Sequence, residues 1–98
     1  MRYILLEWKH ESEDDPILIY SEVDDANYEI RKIEVYRNGV ALRYDENTEF
    51  VSNRLSDVSF PENISEINDN EFFAKNIDLE LFENKWKEAR DVNHTHNI

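Results

Sequence analysis

Between Arg2 and His10 apolar side chains occupy both phases of a two-residue alternation. Ile4, Leu6 and Trp8 fall on one phase, Tyr3 and Leu5 on the other. This pattern predicts a strand covered on both faces. Ile17–Glu22 is a second run of β-formers and predicts a second strand. Tyr28 to Asp45 predicts two more, joined at Asn38-Gly39, which holds the only glycine of the chain. Asn-Gly between alternating runs is the signature of a tight hairpin. With these two residues as the turn, Val35 faces Leu42, Glu34 faces Arg43, Ile33 faces Tyr44 and Lys32 faces Asp45. Opposed residues share a sheet face. One face then carries Ile33, Val35, Leu42 and Tyr44, and the other carries two opposite-charge pairs. Arg31 continues the apolar face, and Glu29 lies one step beyond it.

Residues 46–60 lack a clear period and suggest an ordered loop pinned by Phe50, Val51, Leu55, Val58 and Phe60. After Pro61, Asn63 and Glu66 have the spacing of a capping box for a short helix whose inner face holds Ile64 and Ile67. Phe72 and Phe73 are expected to anchor the extended segment that follows. Asp78 is a candidate N-cap for a last helix, with Leu79, Phe82, Trp86 and Ala89 at helical spacing. Lys85, Lys87 and Arg90 lie toward the end that favours cations. The expected architecture is α+β. It is an antiparallel meander of four or five strands, with a short helix and a C-terminal amphipathic helix packed on one face. Residues 1–90 form one domain and 91–98 a flexible tail.

The 98 residues suit a single domain, and twelve aromatics supply a core at this size. With no cysteine, disulfides, thiol nucleophiles and thiolate metal sites are excluded. Only four apolar residues separate Arg2 from Glu7, too few for a signal peptide, and no window is long enough to span a membrane. A cytoplasmic protein is expected. The net charge is −12, from 23 acids and 11 bases. That disfavours nucleic acid and anionic membranes as partners and favours a basic protein. The acids cluster in two connections: Glu11, Glu13, Asp14 and Asp15 in the first, Glu22, Asp24 and Asp25 around the second. Residues 1–29 hold nine acids and two bases, whereas residues 30–43 hold one acid and four bases. The plainer explanation is two solvated loops that aid solubility.

Candidate chemistry is sparse. Glu29 and Arg31 suggest an ion pair closing the end of the core, since a half-buried arginine needs a partner. The alternative is a small-ligand pocket with Arg31 as its fixed cation. His10, His94 and His96 do not converge on a metal site, and no acidic run has the spacing of a calcium loop. One glycine excludes a glycine-rich phosphate loop, and no serine lies in a nucleophile-elbow context. Neither an enzyme nor a cofactor is expected.

Certain residues carry a likeness. Tyr3-x-x-x-x-Trp8-x-His10 is followed by Pro16, Tyr20-Ser21-Glu22-x-Asp24 and Glu29-x-Arg31-Lys32-x-Glu34-Val35. Asn38-Gly39, Pro61, Glu66-Ile67-Asn68, Phe72 and Phe82-x-x-x-Trp86 complete the pattern. Together they resemble a family of small uncharacterised bacterial domains. Such domains are similar to immunity proteins of contact-dependent and polymorphic toxin systems. An extra residue after Pro61 and the Asn/His tail depart from the pattern. The resemblance implies a cytoplasmic protein that binds and neutralises a cognate toxin domain, often a basic nuclease. It carries no catalytic residue. On charge and aromatic content, the expected contact residues are Glu11, Glu13, Asp14, Asp15, Tyr20, Glu22, Asp24, Asp25 and Tyr28.

Overall fold

A computed structural model describes residues 1–46, 55, 56 and 58–91. The chain is α+β, as expected, but its sheet has six strands and is mixed. The strands are β1 (Arg2–Trp8), β2 (Leu18–Val23), β3 (Glu29–Val35), β4 (Ala41–Asp45), β5 (Phe72–Ile77) and β6 (Arg90–Asp91). Their spatial order is β5-β1-β2-β3-β4-β6. The β1–β4 meander is antiparallel, β5 adds antiparallel beside β1, and β6 pairs in parallel with β4. One α-helix, α1 (Leu79–Glu88), connects β5 to β6. The expected short helix is instead a single 3₁₀ turn, Ile64–Ile67, capped by Asn63. Phe50 and Val51, as well as His94 and His96 in the expected tail, lie outside the described residues; Asp91 belongs to β6.

The hairpin register differs from expectation by one residue. Ile33 faces Arg43, Lys32 faces Tyr44 and Glu34 faces Leu42. Tyr36 and Val40 close a loop of three residues, with Tyr36 N–H donating to Val40 and Gly39 N–H donating to Tyr36. Gly39 has φ +90°, the left-handed residue that ends a type I turn in a three-residue hairpin loop. A one-residue change inverts the faces of a whole strand. Leu42 and Tyr44 therefore leave the face of Ile33 and Val35, and Arg43 joins it.

Cross-strand partners stack into rows on the α1 side. The outer row is Ile77, Tyr3, Glu22, Arg31 and Asp45. The central row is Lys75, Leu5, Tyr20, Ile33 and Arg43, and the last is Phe73, Glu7, Leu18, Val35 and Ala41. Helix α1 lays Phe82 and Trp86 over this side, with its C-cap Ala89 beside them, and Leu5, Tyr20 and Ile33 are buried beneath. Asp78 caps the helix through Leu81 N–H at 2.8 Å, as its position before the apolar stripe predicts. Leu79, expected inside, is 52% exposed at the first helical position.

The opposite side is split. Its β5–β1–β2 half is apolar, with Ile4, Val23 and Ala74 packed against Ile64, Phe60 and Ile67. Its β3–β4 half, with Ser21 of β2 at the border, buries Ser21, Glu29, Lys32, Glu34 and Tyr44.

The outer edge of β5 is partly closed by the chain itself. Asn68 Oδ1 accepts from Ala74 N–H at 2.8 Å, and Asp69 Oδ1 accepts from Phe72 N–H at 2.8 Å. Asp69 N–H also donates to the Phe72 carbonyl.

Candidate functional site

Arg31 lies on the α1 side, as the alternation predicts, but Glu29 does not accompany it. Glu22 pairs with Arg31, whereas Val23 pairs with Glu29, leaving Ile30 as an extra residue in β3. This bulge turns Glu29 to the opposite side of the sheet. There Glu29 accepts from Ser21 Oγ at 2.6 Å and from Ser56 N–H at 2.9 Å.

The partner of Arg31 is Glu22. Arg31 Nε donates to Glu22 Oε1 at 2.6 Å and Nη2 donates to Oε2 at 3.1 Å. Glu83 of α1 accepts a further bond from Nη2. Tyr3 OH donates to Glu22 Oε2 at 2.9 Å. The guanidinium lies 4.8 Å from the Phe82 ring centroid and 4.7 Å from that of Trp86. Arg43 approaches Trp86 as well, at 5.2 Å.

The Arg31 bonds hold the Glu22 carboxyl below the usual carboxylate range, and Glu22 in turn raises the Arg31 guanidinium. Burial, reinforced by Glu22, pushes the Tyr3 hydroxyl upward. These groups saturate one another between sheet and helix. The expectation of a ligand pocket formed by Glu29 and Arg31 loses its basis: the two lie on opposite faces, and Arg31 is engaged by two carboxylates and two rings.

The polar half of the other side is also self-contained. Lys32 Nζ donates to Glu34 Oε2 at 3.0 Å, Tyr36 OH donates to Glu34 Oε1 at 3.1 Å, and Lys32 sits 4.8 Å from the Tyr44 ring centroid. Burial and the nearby Glu34 carboxylate raise the Tyr44 hydroxyl. Among the described residues, no buried side-chain polar atom lacks a hydrogen-bond partner.

The two acidic connections occupy opposite ends of the sheet, because antiparallel strands reverse direction at each loop. At the β2–β3 end the acids are mostly engaged locally. Asp24 Oδ1 accepts from Ala26 N–H and Tyr28 N–H, forming an Asx turn. Asp25 lies 3.3 Å from the Met1 amino group, and Glu62 accepts from Asn27. Tyr28 is 47% exposed.

At the β1–β2 end, His10 braces the loop. Ser12 N–H donates to His10 Nδ1 at 3.1 Å, so the proton belongs on Nε2, which donates to the Pro16 carbonyl at 2.7 Å. Arg37, from the hairpin tip, donates to the His10 carbonyl at 2.5 Å. Glu11, Glu13, Asp14 and Asp15 are exposed. Their carboxylates make no hydrogen bond or ion pair with the described residues.

The expected contact set therefore falls into three groups. Glu11, Glu13, Asp14 and Asp15 lie at one end, and Asp24, Asp25 and Tyr28 at the other. Tyr20 and Glu22 are buried against α1 at 6% and 7% exposure and are closed to a partner. The loop-bracing role of His10 was not visible in its spacing to other candidate ligands. Trp8-x-His10 followed by Pro16 was its only sequence signal.

Among the described residues, no group of three or more His, Cys, Asp or Glu side chains is arranged to hold a metal ion. No helix there is long and apolar enough to cross a membrane. No curated protein and no solved structure matches the chain. The family model that matches covers residues 2–91, which include the sheet, the Arg31 network and both acidic connections, and the chain belongs to the family described as a domain of unknown function (DUF6881).

Proposed function

We propose that this domain is a binding module, an immunity protein that neutralises a basic toxin domain by covering it. The observation that carries the proposal is a cluster of four acids left available at one end of the sheet. Arg2, Arg31, Lys32, Arg37 and Arg43 donate to groups of the chain itself, whereas Lys9, Lys75, Lys87 and Arg90 are exposed. Glu11, Glu13, Asp14 and Asp15 remain available at one end. With a net charge of −12, such a surface steers a basic protein toward it and competes with the phosphates that the partner would otherwise bind. The likeness to immunity proteins gives the partner its biological class. Inhibition proceeds by occlusion, without a reaction or cofactor. The alternative of a small ligand at Arg31 has no comparable support.

The test is growth rescue. The C-terminal domain of whatever protein is encoded immediately upstream of this chain is expressed with and without it. Rescue is expected, and Asp14→Lys with Asp15→Lys should slow association about tenfold or more at low salt. No rescue and no complex with that domain would rule the proposal out.

A further inference from the structure

His10 holds the β1–β2 connection through both ring nitrogens. Nδ1 accepts from Ser12 N–H at 3.1 Å, and Nε2 donates to the Pro16 carbonyl at 2.7 Å. One protonation state alone satisfies both, the neutral imidazole with its proton on Nε2. Ser12 passes the constraint on, because its Oγ accepts from Asp14 N–H at 3.2 Å. The series His10, Ser12, Asp14 thus orders the half of the loop that carries Glu11, Glu13 and Asp14. The ring is itself fixed. It meets the Trp8 ring edge-on at 4.4 Å between centroids, and Trp8 stacks on Phe72 at 5.4 Å. Arg37 donates to the His10 carbonyl at 2.5 Å.

We propose that His10 is a proton-operated latch on this loop. An imidazolium carries a proton on both nitrogens. Nδ1–H then points at Ser12 N–H, donor against donor, and an attraction becomes a repulsion. Ser12 leaves, and with it the acceptor of Asp14 N–H. The Nε2–H donor is unchanged, so the Pro16 carbonyl stays bound and the loop opens from its first half only. The charged groups around the ring balance. Glu7 of β1 and Glu11 of the loop line the same groove as Lys9, which follows β1, and Arg37 of the hairpin tip. Phe72 of β5 brings no charge, and Glu13, Asp14 and Asp15 are exposed and screened by solvent. The Ser12 bond is therefore what distinguishes the two protonation states. Imidazole is the side chain whose ordinary titration falls between about pH 5 and 8. Carboxylates ordinarily titrate near about 4, so the two steps separate. The inference concerns the free chain and goes beyond the binding-module reading without depending on it. Where a partner grips the ordered loop, linkage makes binding expel this proton.

The test is an NMR titration of the full isotope-labelled chain from about pH 8 to about pH 5. At the upper end the ring nitrogen spectrum should place the His10 proton on Nε2. On acidification the Ser12 and Asp14 amides should move with the His10 ring, at one shared midpoint. The Ile17 amide, bonded to the Val35 carbonyl, should hold, as should those of Asp25 and Tyr28. Exchange of the Ser12 amide, corrected for its intrinsic pH dependence, should quicken roughly fivefold, the loss of one neutral hydrogen bond. His10→Phe should abolish the step. Ser12→Ala keeps the backbone donor, so the amide at that position should still follow the ring while that of Asp14 no longer does. The same spectra show that each variant is folded, and Ser12→Ala tests the relay independently of His10→Phe. A proton on Nδ1 at the upper end would overturn the latch. So would amides that shift only with the carboxylates, below about pH 5, or a step that survives in His10→Phe. None of these outcomes bears on whether a basic toxin domain binds, which the growth assay decides.

Discussion

Replacing Arg31 by methionine isolates the ion pair that ties α1 to the sheet. Methionine keeps an apolar stem but removes both bonds to Glu22, at 2.6 and 3.1 Å, the contact to Glu83 and the approach of the guanidinium to the Phe82 and Trp86 rings. Glu22 remains 7% exposed, with the Tyr3 hydroxyl as its surviving donor. Stranding a buried charge costs about 3–5 kcal/mol. The Arg31 side chain is 23% exposed, so water partly reaches the pair and the lower figure applies, about 3 kcal/mol. In a domain of this size that lowers Tm by roughly 15 °C.

The pH dependence has a defined sign. The folded Glu22 carboxyl titrates below its unfolded value. Its contribution is therefore present above the unfolded carboxyl pKa of about 4.3 and is lost as pH falls through the folded one. Urea unfolding followed by tryptophan fluorescence should show a large gap between Arg31→Met and the parent at pH 7. The gap should narrow in acid, where Glu22 is protonated. Adding Glu22→Gln to Arg31→Met should recover part of the loss, because no charge is left stranded. A gap under about 1 kcal/mol at pH 7, a gap that does not change with pH, or strictly additive variants would refute this account.

Two further perturbations address the hairpin and the buried polar half. Gly39→Ala should cost about 1–2 kcal/mol in the same urea assay. The φ of +90° disfavours any side chain, and no atom lies within 4 Å of the added Cβ; a cost of only a few tenths would contradict a strict need for this backbone geometry. Tyr44 keeps its proton above the usual tyrosine range because of burial and then Glu34. Stability should therefore fall as pH rises beyond about 10, where the unfolded tyrosine ionises. Tyr44→Phe should flatten that alkaline slope, with phenolate absorbance reporting ionisation, and an unchanged slope would exclude Tyr44 as its source.

Local chemistry made much of the fold legible. Alternation located β1 to β4 and put Arg31 on the face that α1 covers, and Asp78 and Asn63 cap the elements they precede. The errors arose where one residue alters the count. Asn38-Gly39 is compatible with a two- or three-residue loop, and only the observed bonds decide between them. The extra Ile30 separates Glu29 from Arg31, and no local preference announces it. Lys75 and Asn76 obscure β5, which finds its place through pairing with a strand about seventy residues earlier in the chain. The two-residue β6 is too short to have a periodicity. The second carboxylate on Arg31, Glu83, comes from a helix remote in sequence. For the candidate site, composition pointed to acidic loops, but it could not distinguish carboxylates engaged by their own backbone from those left available.

The bonds from Asn68 and Asp69 to β5 have a consequence for how the molecule behaves in company. An antiparallel strand alternates between positions directed at its neighbour and positions directed away. On β5 the latter are Phe72, Ala74 and Asn76. The first two already spend their N–H groups on Asn68 and Asp69, so an incoming strand would find mainly Asn76 able to donate. It would have to displace a folded turn to gain the rest. Asp69 is held below the usual carboxylate range by the Phe72 and Glu71 N–H groups, so this closure persists into moderately acidic solution. One copy of this chain is thereby discouraged from templating another along β5.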